Sequence, residues 1–100
     1  MRIRYLEDAH REIREGAEYY RKAASPAIAQ AFRRAVRDAV RLIRAQPLAW
    51  QKTDIFGRRY VMSRFPYSVI YEIDGDDLVV VAIACQHREP HYWANRSVGL

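Results

Sequence analysis

Apolar residues recur every three or four positions in the first half of the chain; in the second half they alternate or run together. Arg2, Ile3, Arg4 and Tyr5 alternate polar and apolar, the signature of a short half-buried strand. From Asp8 the period lengthens. Ala9, Ile13, Ala17 and Tyr20 fall on one helical face, with Arg11, Glu12, Arg14, Glu15 and Glu18 between them. Gly16 weakens that helix somewhat, because glycine leaves the unfolded backbone more freedom to lose. Ser25-Pro26 then supplies a capping hydroxyl followed by a proline whose missing N–H costs nothing at a first helical position. Ile28, Phe32, Val36, Ala39 and Ile43 form the stripe of a second helix, which Pro47 ends. Residues 7 to 46 thus read as two helices. Their link, Ala23 to Ser25, is short enough to make them an antiparallel hairpin.

The rest reads as strands. Arg58 to Phe65 is a candidate strand stopped by Pro66, which cannot donate to a ladder. In the next strand Tyr67, Val69, Tyr71 and Ile73 share one face, and Asp74-Gly75 is a strong hairpin signal. Leu78 to Cys85 is apolar at every position, so it is expected to be a central strand covered on both faces. The helical hairpin can cover one face. The C-terminal segment or a partner must cover the other.

One hundred residues, half of them hydrophobic, fit one domain with a core that needs neither disulfide nor metal. The single cysteine, Cys85, lies in the apolar run and is expected to pack as a small core side chain, which suits a reducing cytoplasm. The N-terminus lacks the apolar core of a secretion signal, and no run approaches the roughly 20 apolar residues of a membrane span. Lys and Arg outnumber Asp and Glu by 17 to 12, and 15 of those cations are arginine. Arginine's planar fork suits phosphate and carboxylate, so the partner class is nucleic acid or an acidic protein. Positive charge gathers on the second helix (Arg33, Arg34, Arg37, Arg41, Arg44) and on the Arg58–Arg64 strand; the Asp74–Asp77 turn is acidic. Those helix arginines have three readings: phosphate contact, an acidic partner segment, or plain solubility.

The chain has no phosphate-cradling glycine loop, no Cys/His zinc spacing and no nucleophile elbow, so no cofactor or metal is implied. His87 and His91 have helical ligand spacing, but Pro90 between them argues against a helix there. What remains is a basic, aromatic set: Lys52, Arg58, Arg59, Arg64, His87, Arg88, His91 and Tyr92. RNA cleavage by the adjacent 2′-hydroxyl needs a base, cations on the phosphate and an acid for the leaving oxygen. In that chemistry His87 would move the proton, Arg59 and Arg64 would clamp the phosphate, and Tyr92 would stack on a base. The competing reading makes the strand arginines a solvated face, His87 a hydrogen-bonded strand end, and Tyr92 with Trp93 a cover for the core. The two readings differ in a geometric requirement. Catalysis needs Arg59, Arg64, His87 and Tyr92 in one concave patch.

Glu18-Tyr19-Tyr20, Ser25 to Phe32, Phe65-Pro66-Tyr67-Ser68-Val69-Ile70-Tyr71, and Ala82 through His87-Arg88-Glu89-Pro90-His91-Tyr92-Trp93 together resemble the RelE/ParE superfamily. These are small toxins of bacterial type II toxin–antitoxin modules, also called plasmid stabilisation proteins. The resemblance spans nearly the whole chain and lies nearer the ParE-like branch. It implies an α+β fold, with an N-terminal helical hairpin packed on a twisted, mainly antiparallel sheet of about four strands. It also implies a cytoplasmic protein neutralised in a hetero-oligomer by a cognate antitoxin, whose helix or strand would cover the open sheet face. RelE-like members cut mRNA on the ribosome with sheet-borne basic residues and a C-terminal tyrosine, here Arg59, Arg64, Arg88 and Tyr92. ParE-like members poison DNA gyrase without a nuclease site. Lys52 is the only lysine beyond residue 22, so the dense basic set of the nuclease branch is unmatched. The ParE-like reading is therefore favoured, with Arg37, Arg41, Arg58, Arg88, His91 and Trp93 as binding residues.

Overall fold

The computed structural model describes residues 1–96. The chain runs β1 (Arg2–Tyr5), α1 (Glu7–Ala23), α2 (Pro26–Ala45), β2 (Gln51–Lys52), β3 (Arg58–Val61), β4 (Tyr67–Asp74) and β5 (Asp77–Cys85), then a short 3-10 turn at Ala94–Arg96. The two helices form the expected antiparallel hairpin. Ser25 caps α2, its Oγ accepting from the Ile28 N–H at 3.2 Å, with Pro26 at the first helical position. The five strands order as β1-β5-β4-β3-β2. Three neighbouring pairs are antiparallel, and β1 lies parallel to β5. The fifth strand, β2, is two residues long and too short to leave a period in the sequence.

The helices cover one face of the sheet. Phe32 sits at the centre of that layer, its ring 5.4 Å from Tyr20 and from Phe65 and 4.9 Å from Tyr67. Gly16 earns its place there: a Cβ would stand 2.7 Å from the Phe32 ring. Burial therefore decides this position rather than helix propensity. Tyr71 crosses the layer and donates from its hydroxyl to the Pro47 carbonyl at 2.6 Å, tying the end of α2 to the sheet.

The second face is closed by the chain itself, so it awaits no partner. Ile70, Val79, Val81, Ala82 and Ala84 are buried under Trp93, with Leu6, Phe56 and Tyr92 packed around them. Trp93 is 1% exposed and meets Phe56 edge to face at 5.2 Å. A β-bulge enlarges this apolar patch. Ile70 pairs with Ala82 and Tyr71 with Val80, which leaves Val81 as an extra residue in β5. Val81 and Ala82 consequently both face Trp93. Of the two covers that the apolar pattern allowed, the C-terminal segment is the one present, and an antitoxin segment seated on this face, as the resemblance implied, would find the place taken.

The acidic turn is also compensated. Arg2 Nε lies 3.0 Å from Asp77, and Arg4 lies 3.2 Å from Asp74 and 3.1 Å from Asp77. The parallel edge strand β1 brings these two arginines across, so no acidic pole stands at that end. No helix among the described residues is long and apolar enough to cross a membrane.

Candidate functional site

The C-terminal segment is fastened by a side chain that the sequence reading passed over. Glu12 lies on the buried stripe of α1, one turn after Ala9 and one turn before Gly16, and is 4% exposed. Its carboxylate accepts from the Ile83 N–H at 3.0 Å, the Tyr92 hydroxyl at 2.6 Å and Arg96 Nη1 at 3.0 Å. Arg88 adds a longer ion pair at 3.7 Å. The Arg96 guanidinium also donates to the carbonyl of Val81, the bulge residue, at 3.4 Å. A buried carboxylate with these donors is satisfied. The available signal was a carboxylate standing where the helical period demanded an apolar residue.

Tyr92 is thereby committed. Arg88 lies over its ring at 3.8 Å and Arg96 at 5.1 Å. Burial, and after it the hydrogen bond to Glu12, raise the phenol above its ordinary pKa. This tyrosine locks the tail to α1, with its hydroxyl on Glu12 and two guanidinium groups against its ring. Trp93 is a core residue.

The expected catalytic set is not gathered into one patch. Arg59, on β3, points to the sheet face that carries Ile70, its cross-strand partner. It lines two adjoining hollows of about 150 and 180 Å³, which also share His91. The first adds Ser68, Gln86, Arg88 and Tyr92; the second adds Lys52, Asp54 and Val61. Arg64 lies elsewhere, in a hollow of about 240 Å³ between α2 and β3, with its guanidinium 5.2 Å over the Phe65 ring. His87 lines neither Arg59 hollow. His91 is the only histidine among their lining residues, held with positive φ (66°) and its ring edge-on to Trp93 at 5.8 Å. Arg58 has a different task. Its Nη1 donates to the Trp50 and Leu48 carbonyls at 2.7 and 3.3 Å, shaping the loop after α2. Arg37 and Arg41 stand on the solvent side of α2, with Arg41 3.4 Å from Asp38.

Two open features remain. The first is the groove of Lys52, Arg59 and His91, with Asp54 also on its wall. The second is the outer edge of β3: β2 pairs only with Arg58 and Arg59, so no strand covers Tyr60 and Val61 on that side among the described residues. Val61 is 57% exposed and lines the groove. Beside the same strand, Ala35, Ala39, Leu42, Tyr60 and Met62 line the apolar hollow against α2. Among the described residues no three His, Cys, Asp or Glu side chains cluster as a metal cage.

Comparison with known proteins bears on this arrangement. The family described as the ParE toxin of the type II toxin–antitoxin system, parDE, matches residues 3–90. A search of curated protein sequences finds no significant match. Among solved structures, a chain from the chromosomal ParDE toxin–antitoxin system of P. aeruginosa superposes with a TM-score of 0.77. It is 17% identical, and the match covers 85% of this chain and 95% of that one. At that identity the likeness speaks to the fold.

Proposed function

This chain belongs to the ParE toxin family of type II toxin–antitoxin systems, and from that premise we propose that it arrests growth by docking on DNA gyrase in the cytoplasm. It works as a binding poison, with no nuclease step. The observation that carries this reading is the dispersal of the would-be nuclease residues. Tyr92 is spent on Glu12, while Arg64 and His87 lie outside the Arg59 groove. A proton relay needs its base and acid within hydrogen-bond reach of one phosphate. Here the His91 side chain makes no hydrogen bond among the described residues, and neither Arg64 nor His87 lines its hollows.

The groove of Lys52, Arg59 and His91 is the target-facing surface. Lys52 and Arg59, which make no ion pair among the described residues, offer charge complementarity to an acidic patch on a protein partner. A cognate antitoxin neutralises the toxin from the adjoining edge. An extended antitoxin segment adds a strand to β3 beyond Arg59, which takes up the open backbone groups there. Its apolar side chains enter the hollow of Leu42, Tyr60 and Met62. Because Val61 belongs both to the edge and to the groove wall, a strand on that edge also obstructs the groove.

The test is gyrase supercoiling in the presence of the purified chain. Supercoiling is expected to stop with the intact chain, to persist with the Lys52→Ala/Arg59→Ala variant, and to recover when antitoxin is added. Unchanged supercoiling and unchanged gyrase-dependent DNA cleavage would overturn the proposal. Cleavage of ribosome-bound mRNA by the same preparation would favour the nuclease reading in its place.

A further inference from the structure

The charge of this chain is concentrated on one helix. Five arginines against Asp38 give α2 a net charge of four (5 − 1), out of +5 for the whole molecule. At about 100° per residue, Arg33, Arg34, Arg37, Arg41 and Arg44 fall within roughly 100° of arc, beside the buried stripe. Arg33 to Arg44 spans about 16 Å of helix axis. Arg34, Arg37, Arg41 and Arg44 are exposed, and Arg33 is half-buried. Arg33, Arg34, Arg37 and Arg44 make no ion pair among the described residues; Arg41 makes one, to Asp38.

The neighbouring helix shows what a merely solubilising surface looks like in the same molecule. On α1 the charges alternate in sign and pair off: Arg11 with Asp8, Arg14 with Glu7, and Arg21 with Glu18. Mixed, self-neutralised charge is the pattern expected of a soluble surface. The α2 stripe departs from it in its single sign and in having one ion pair for five cations among the described residues.

We propose that this α2 stripe is a contact surface for the phosphodiester backbone of a nucleic-acid duplex, a role beyond the toxin reading and independent of it. A duplex carries one phosphate charge per about 1.7 Å of axis, so the length of the stripe faces roughly ten of them. Guanidinium forks match phosphate oxygens in pairs, and every cation on the stripe is arginine. No aromatic residue lies between Arg33 and Arg44, so the stripe lacks the stacking platforms that single strands require. The contact therefore positions the protein on the backbone without reading bases. An acidic peptide would have to order a run of carboxylates at the same pitch, whereas a duplex brings its charges already fixed.

Fluorescence anisotropy of a 30-base-pair DNA duplex, titrated with the whole chain from 50 to 300 mM salt, tests this. The intact chain is expected to bind with a log–log salt slope near −4, the value for about four or five neutralised phosphates. The Arg33→Gln/Arg34→Gln/Arg37→Gln/Arg44→Gln variant is expected to lose at least 100-fold in affinity at 50 mM salt and most of that slope. The milder Arg34→Gln/Arg44→Gln variant is expected to lose about two units of slope, and both variants are expected to keep the helical circular dichroism of the parent. A control with the same net charge, Arg2→Gln/Arg4→Gln/Arg14→Gln/Arg21→Gln, removes ion-paired arginines and is expected to change affinity less than about 3-fold. Equal losses in the stripe and control variants would overturn the proposal, since binding would then follow net charge alone. So would flat anisotropy for the intact chain at 50 mM salt, or tighter binding of a poly-glutamate peptide than of the duplex.

Discussion

Replacing Glu12 with alanine removes the one carboxylate on which α1, β5 and the C-terminal segment converge. Three donors lose their acceptor at once: the Ile83 N–H, the Tyr92 hydroxyl and Arg96 Nη1. The side chain of Arg96 is only 10% exposed, and of its ion pairs it keeps only the longer one to Asp8 at 3.6 Å. Breaking a buried ion pair by deleting one partner costs about 3–5 kcal/mol. The isosteric Glu12→Gln keeps an acceptor oxygen and the shape, so its loss is set by the charge-assisted bonds, about 2 kcal/mol. Against a total stability of about 5–15 kcal/mol for a domain of this size, either change is large. Urea unfolding read by circular dichroism gives both numbers, with m-values near that of the parent if only stability has changed. Tryptophan fluorescence in a Trp50→Phe background, where Trp93 is the one tryptophan left, reports separately on the tail, because Trp93 rides on the segment that Tyr92 and Arg96 anchor. The reasoning predicts a red shift for Glu12→Ala under native conditions. A Glu12→Ala midpoint within 1 kcal/mol of the parent, with unshifted emission, would refute the hub.

Gly16→Ala is expected to destabilise by about 1–3 kcal/mol through the clash with Phe32, where propensity alone predicts a gain of about 1 kcal/mol; the sign of the shift in the urea midpoint checks it. Trp93→Ala is expected to cost about 3–5 kcal/mol and to open the patch of Ile70, Val79 and Val81, seen as increased binding of an apolar dye. At high pH stability should fall: burial pushes the Tyr67 and Tyr71 hydroxyls up to about 12 from an ordinary 10. The folded chain then holds protons that the unfolded chain has released, so stability is full below pH 10 and is lost on the way to pH 12. Each phenol contributes on the order of 2 kcal/mol, and Tyr71→Phe should flatten the slope in urea unfolding series run between pH 9 and pH 11.5.

The helical hairpin was legible because its stripes are long and its breaks are chemically explicit at Ser25-Pro26 and Pro47. The β4–β5 hairpin was legible for a similar reason: Asp74-Gly75 separates two strongly apolar runs. Three features escaped. The strand β2 is shorter than any period. The bulge at Val81 cannot be seen in a run where every residue is apolar, since both faces look alike. Glu12 is one polar letter in a helix full of them, and its partners Ile83, Tyr92 and Arg96 are about 70 to 85 residues away in sequence. For the candidate site, the sequence offered Arg59, Arg64, His87 and Tyr92 as one set, of which Arg59 and Tyr92 line a common hollow. It could not say that Tyr92 was already bonded, nor that Arg64 turns toward α2. Side-chain commitment is set by tertiary contacts, and a list of suitable residue types is silent about it. The surplus of apolar positions on the second face showed that a cover was needed, from the tail or from a partner, without choosing between them; the chain's own Trp93 is that cover.

The account stands on toxicity by docking and against chemistry, and growth arrest after induction of Arg64→Ala/His87→Ala tests this most directly. Both changes fall on exposed residues outside the Lys52–Arg59–His91 groove, so the fold and the docking surface persist. The account predicts arrest as complete as that caused by the unaltered chain, with cellular mRNA intact. Normal growth of cells making a folded, soluble double variant would contradict it.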